Sequence, residues 1–150
     1  MADRLVRLIG LVGMLLALSG CGQTPTKPDT KPVDLAEIYA LAAKAYEQQD
    51  WPASEKHYIT LTQKLPEEVE PWFKLGNIYA RTLRLDGAIK FYREALVRDS
   101  EHVKAWHNMA VVQLREASKS FAELEVLVQP EDELHKKSVK IQKTIDELVN

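Results

Sequence analysis

From about residue 34 onward, apolar residues recur with the period of a helix. Trp72, Leu75, Gly76 and Tyr79 fall at i, i+3, i+4 and i+7, one face of a helix. After a break near Asp86 and Gly87, a second stripe follows in Ala88, Tyr92, Ala95 and Leu96. Residues 72–100 thus predict two amphipathic helices joined by a short turn. The pattern echoes at an offset of about 34 residues. Counting back, Ile38, Leu41, Ala42 and Ala45 take the places of Trp72, Leu75, Gly76 and Tyr79. Ser54 and Tyr58 stand for Ala88 and Tyr92, and Pro66 ends the unit; Leu61 matches poorly, because Ala95 holds its place in the next unit. Asp34 with Glu37 has capping-box spacing, and residues 49–52 break the two helices, with Pro52 tolerated at a helix start.

Counting forward gives Trp106, Met109, Ala110 and Gln113, then Ala122 and Val126. The first helix of this third unit is well patterned. Pro130 cuts its second helix short, and Ser120 with Glu123 predicts a capping box that opens it. Beyond Pro130, Glu131, Asp132 and Glu133 suit the positive end of a helix. Leu134, Ser138, Ile141, Ile145 and Leu148 then draw a one-sided stripe. This is the pattern of a terminal helix with one wet face; the alternative is a coiled-coil arm of barely two to three heptads.

The middle unit spells W-x2-L-G-x2-Y and then A-x3-Y, with Tyr92 where Phe is usual, and it resembles a tetratricopeptide repeat. The resemblance implies an all-α fold: a short α-solenoid of about three helical hairpins (34–67, 68–101 and 102–130) plus a C-terminal capping helix (131–150). It implies a repeat core of Trp72, Leu75, Gly76, Tyr79, Ala88, Tyr92, Trp106 and Ala110. It also implies a concave groove lined by the first helix of each hairpin. Tyr39, Ala43 and Tyr46 come from the first unit and Phe73, Asn77, Ala80 and Arg81 from the second. Lys104, His107, Val111, Leu114 and Arg115 come from the third. Aromatic and apolar at one end and cationic at the other, such a surface suits an extended or helical peptide with apolar anchors and a carboxylate. Packing between hairpins is the alternative for Tyr46 and Phe73, and a solvated charge the alternative for Arg81. A subclass grips chaperone C-termini with paired asparagines, lysine and arginine. Asn77 and Asn108 fit that pattern, but Phe73 stands where a lysine is needed, so this ligand is not expected.

The N-terminal stretch has a different character. Arg4 and Arg7 precede a run, residues 8–18, that is apolar apart from two glycines. Its length is about half the ~20 residues of a membrane-spanning helix and suits the apolar core of a secretory signal. Leu18, Ser19, Gly20 and Cys21 resemble the lipobox of bacterial lipoproteins, in which the signal peptide (1–20) is removed and the cysteine thiol carries lipid. A short uncleaved anchor is the alternative. Gly22, where an Asp would resemble an inner-membrane retention signal, implies an outer-membrane address facing the periplasm. Residues 22–33, with Pro25, Pro28, Pro32 and several threonines, complete a lipidated, flexible tether (21–33).

Composition narrows the chemistry. A formal net charge of −2 recommends no nucleic-acid partner. Cys21, the single cysteine, excludes an internal disulfide framework and a Cys-based metal cluster. After residue 20 the glycines are Gly22, Gly76 and Gly87, too few and too scattered for a phosphate loop, and neither G-x-S-x-G nor H-E-x-x-H occurs. His102 and His107 stand five apart, about 140° around a helix, unlike a metal-binding i, i+4 pair. The expectation is a protein with no catalytic residues, no metal and no cofactor beyond a covalent lipid on Cys21. Its role would be a lipid-anchored periplasmic adaptor for a peptide or protein segment. In this it resembles small repeat lipoproteins that assist assembly of a pilus or secretion system. The alternative is a self-associating structural scaffold without a peptide client.

Overall fold

Helices form where the spacing demands and stop on recognisable chemistry. The computed structural model describes residues 34–149; the expected signal peptide, lipid-bearing Cys21 and tether lie outside the described residues. Among the described residues there are six helices and no strand: α1 (Leu35–Glu47), α2 (Trp51–Lys64), α3 (Val69–Arg81), α4 (Leu85–Arg98), α5 (Val103–Leu127) and α6 (Glu133–Val149). None of the described helices is long and apolar enough to cross a membrane. The helices pack in sequence as hairpins, α1 on α2, α3 on α4 and α5 on α6, with α2 against α3 and α4 against α5 joining them into a short α-solenoid.

The first two hairpins turn in the same way. The Asp50 N–H donates to the Ala45 carbonyl at 2.9 Å, and 34 residues on, the Arg84 N–H donates to the Tyr79 carbonyl at 2.9 Å. Gln49 donates to Tyr46 and Leu83 to Ala80, so each helix ends in a Schellman motif. That motif needs one left-handed residue, and here the residues are Gln49 and Leu83, both at φ 58°. Asp34 caps α1 by accepting from the Ala36 and Glu37 N–H groups, and Asp50 caps α2 by accepting from Ala53. Asp86 and Gly87 lie inside the first turn of α4 rather than in the break, which falls at residues 82–84.

Two glycines then let α3 and α4 close. A Cβ on Gly76 would stand 2.5 Å from Cδ1 of Tyr92, and one on Gly87 would be closer still to the Tyr79 ring. Each helix thus offers a glycine to the other's tyrosine. One apolar cluster joins Ala42, Tyr58 and Leu61 of the first hairpin to Leu75 and Ile78 of α3. The other joins Phe73, Ala88, Ile89, Tyr92, Ala95 and Leu96 to Ala105, Met109 and Val112 of α5. Leu61, the poor match in sequence, is fully buried. Leu41, equivalent to the buried Leu75, is 42% exposed, because no described helix precedes α1 to cover it.

The third unit departs from the expectation. α5 runs unbroken for 25 residues, and Ser120 is no cap: its hydroxyl donates to the Glu116 carbonyl within the helix. The second arm of this hairpin is α6 rather than a helix within 102–130. Side chains explain the change. Gln113 and Phe121 occupy the places of Tyr79 and Gly87, so the glycine–tyrosine fit that closes the second hairpin is absent, and residues 113–119 are mostly strong helix formers with no break signal. With no returning helix over them, two expected core residues stand in water: Trp106 is 52% exposed, and Ala110 is exposed as well. On α6 the interrupting Ser138 is buried, with its hydroxyl satisfied by the Leu134 carbonyl at 3.0 Å.

Candidate protein-binding groove

The first helices of the hairpins converge on a cleft of about 560 Å³. Tyr46 enters from α1; Asn77, Ala80 and Arg81 from α3; Tyr92 from α4; and His107, Asn108, Val111, Val112 and Arg115 from α5. Its floor is held by hydrogen bonds. The Asn77 carbonyl oxygen accepts from the Tyr92 hydroxyl at 2.8 Å and from the Asn108 amide at 2.8 Å. Both lone pairs of that oxygen are therefore used, and the Asn77 side chain offers a ligand its NH2 donors. Burial pushes the Tyr92 hydroxyl up to about 12, so it stays a donor throughout the physiological range.

Aromatic side chains frame the N-terminal wall. Tyr46 meets Trp51 edge-on with ring centroids 5.4 Å apart and contacts Tyr58 at 6.4 Å. The Lys74 ammonium lies 4.6 Å from the Tyr46 ring centre, and the Arg81 guanidinium 5.6 Å from that of Trp51. Arg81 therefore has a preferred resting place on an aromatic face while remaining exposed. With Arg115 and His107 also in its lining, the cleft presents donors and positive charge beside the apolar Ala80, Val111 and Val112.

Three of the eight expected groove residues, Tyr46, Asn77 and Arg81, are thus in the cleft. His107 and Arg115 line the cleft. Lys104 is exposed but lies outside it, and Tyr39 is partly buried against the first apolar cluster, where burial, helped by Glu68 and Glu70, raises its hydroxyl pKa. Phe73 is a correction: it is 8% exposed and packs on Tyr92 at 6.0 Å and on the His102 ring at 4.7 Å. The cause is α5, which lies across α3 and α4 and buries that position. Sequence reasoning missed Tyr92 as a groove-floor donor, and it missed Leu148 and Val149, which come from the end of α6 to line the same cleft.

On another face a charged clamp fixes the relation between the first two hairpins. Arg84 forks onto Glu55, with Nη2 to Oε2 at 2.6 Å and Nη1 to Oε1 at 3.1 Å. The Tyr79 hydroxyl donates to the same carboxylate at 2.7 Å, and the Arg84 guanidinium lies 3.7 Å from the Tyr79 ring centre. The Arg84 hydrogen bonds hold the Glu55 carboxyl below its ordinary pKa. A second cleft, of about 930 Å³, opens between the α3–α4 turn and the distal half of α5; there a hydrogen bond with Asp86 raises the Glu116 pKa. Among the described residues no group of three or more His, Cys, Asp or Glu side chains is arranged to hold a metal ion.

Comparison with known proteins agrees with this architecture. The tetratricopeptide-repeat family model matches residues 69–102, the α3–α4 hairpin with the turn that follows it. A TPR repeat-containing protein of Halalkalibacterium halodurans is 40% identical over 52 residues, 33% of this chain and 23% of its own length. This chain thus spans about a quarter of that relative. Among solved structures, the TPR2B-domain:pHsp70 complex of yeast Sti1 is similar with a TM-score of 0.52 and 21% identity, covering 77% of this chain and 82% of that one. That likeness concerns the fold. The chain therefore carries a tetratricopeptide repeat at residues 69–102 within a short all-α solenoid, an architecture that supports a protein–protein interaction module.

Proposed function

We propose that this chain is a non-catalytic adaptor that binds a peptide or protein segment in the cleft between α1, α3 and α5. The observation that carries the reading is the convergence of Arg81, His107, Arg115 and the Asn77 amide on one cleft beside Tyr46, Ala80 and Val111. Apolar anchors beside fixed donors and cations are what a segment with apolar side chains and carboxylates needs. The sequence before residue 34 supports a lipid on Cys21 and an outer-membrane position facing the periplasm. On that address the client belongs to an envelope assembly such as a pilus or secretion system. In cells, a photo-crosslinking residue at Arg81 or Arg115 is expected to give the same discrete adduct, and one at Lys90 none. The pair Arg81→Glu with Arg115→Glu is expected to reduce client capture at least about tenfold. Unchanged capture would sink the groove reading. Loss of labelled palmitate on Cys21→Ser tests the anchor separately.

A self-associating scaffold is the second reading, favoured by one feature. Val97, Val103 and Trp106 are all exposed beside a shallow cleft lined by Leu96 and Met109, where a returning helix would otherwise lie. Sedimentation of the full chain in detergent distinguishes the two. A monomer at tens of micromolar removes the scaffold, and a dimer dispersed by Trp106→Glu supports it.

A further inference from the structure

The end of α6 borders the cleft assigned above to the client. Leu148 and Val149 form one wall of it, facing a lining that includes Tyr46, Arg81, His107 and Arg115. The last turn of α6 holds Asp146 and Glu147 and no basic residue. It is also the end of the helix at which the macrodipole is negative. Leu148 and Val149 thus take up one side of a cleft whose charged side chains are cationic, and the exposed Asp146 and Glu147 of the same turn carry the opposite charge.

α6 is held lightly. Among the described elements it packs on α5 alone. Ile145 and Ser138 are buried, but Leu134, Ile141 and Leu148 are exposed, Leu148 by 67%. A side-chain hydrogen bond, from Gln142 Nε2 to the Ser118 carbonyl at 3.1 Å, ties its middle to α5. Residues 128–132, which contain Pro130, join the two helices. A helix with one neighbour and much of its apolar stripe in water opens at lower cost than one inside the array.

The geometry points to α6 as a built-in occupant of the groove, displaced when a client binds. The occupant is also a template for the client: an amphipathic helical segment with apolar residues at i, i+3 and i+4 and carboxylates between them. Ile145, Leu148 and Val149 around Asp146 and Glu147 have that pattern. This inference rests on the groove reading and gives its client a chemistry. While α6 is closed, the apparent affinity for such a segment falls by the fraction of molecules that are open.

The test uses the full chain in detergent, carrying Cys21→Ser, Ser118→Cys and Gln142→Cys, with the two new thiols joined by a reducible crosslinker. The probe is a fluorescent synthetic peptide copying residues 133–149. The bridged protein is expected to bind it at least about tenfold more weakly than the same sample after reduction. Ile145→Ala in the unbridged chain, which unpins α6, is expected to raise the affinity severalfold. Arg81→Glu with Arg115→Glu is expected to remove binding from the reduced sample. Equal affinity in the bridged, reduced and Ile145→Ala proteins, still abolished by the arginine changes, overturns occupancy by α6 and leaves the groove reading standing. Absence of binding after reduction, or binding indifferent to the arginines, overturns both.

Discussion

The second and third hairpins begin alike and end differently. Trp72 and Trp106 occupy equivalent places, and each indole N–H reaches back to a loop carbonyl, Pro66 at 3.0 Å and Ser100 at 2.9 Å. Around Trp72 a returning helix completes the site. Phe91 packs at 6.2 Å between ring centres, and the Arg98 guanidinium lies 4.2 Å from the indole centre while also bonding the Pro66 carbonyl. Around Trp106 that cover is missing, because α5 runs on and α6 lies along its distal half instead. The same motif residue is architecture in one hairpin and bare surface in the other. A repeat signature names positions; whether a position is core depends on the helix that comes back over it.

The tryptophans give the sharpest way to break this comparison. Trp72→Ala is expected to cost about 2–3 kcal/mol of unfolding free energy, somewhat below the range for a fully buried aromatic. Trp106→Ala is expected to stay within about 0.5 kcal/mol, as for an exposed site. Urea denaturation followed by circular dichroism reads both, and equal losses would mean that the two sites are equally covered. Next in size is the glycine–tyrosine closure. Gly87→Ala is expected to cost about 1–3 kcal/mol, since the new methyl meets the Tyr79 ring rather than a flexible chain end. The converse, Phe121→Gly, removes a bulky side chain near the place where a third turn would form; loss of the sequential amide–amide and i, i+3 contacts around residue 117 in NMR spectra would show α5 beginning to break.

Smaller effects test the clamp and the turn. Glu55→Gln is expected to lose about 1 kcal/mol at pH 7, through a forked pair that holds the first hairpin to the second. The sign follows from the lowered pKa of Glu55. Its contribution is present above the unfolded carboxyl value, about 4.3, and is lost as pH falls through the folded value. The gap between wild type and variant should therefore narrow below about pH 4. A gap that stayed constant from pH 7 to pH 3 would show that charge is not its source. Leu83→Gly is expected to stabilise by about 0.5–1 kcal/mol. Leu83 is 75% exposed and held at φ 58°, where a side chain costs more than the extra freedom of glycine in the unfolded chain.

The fold was legible where the residues of one unit dictate its closure. Trp72, Gly76, Tyr79 and Tyr92 announced the middle hairpin because a close helix pair needs small residues opposite large ones. The third unit was misread because its first helix alone carries the pattern. The paired glycine and tyrosine that close the second hairpin are replaced there by Phe121 and Gln113, a difference that the sequence itself displays. Phe73 was misplaced for a related reason: the same helix spacing serves the groove and the contact with the next helix, and only the position of α5 separates them. Leu148 and Val149 could not have been found by periodicity. Their arrival in the cleft depends on the length of α5 and on where the α5–α6 connection turns the chain back.

That length has a mechanical side. At about 1.5 Å per residue, the 13 residues of α3 extend about 20 Å, whereas the 25 of α5 extend about 37 Å. The proximal half of α5 is clamped in the core through Ala105, Met109 and Val112, and its distal half bears α6 as an outrigger. A tilt of about 10° at the base would carry the far tip through about 6 Å, a little more than one helical turn. α5 is therefore a lever whose short arm is a wall of the groove and whose long arm ends at the connection to α6, so a small adjustment at either end is felt at the other.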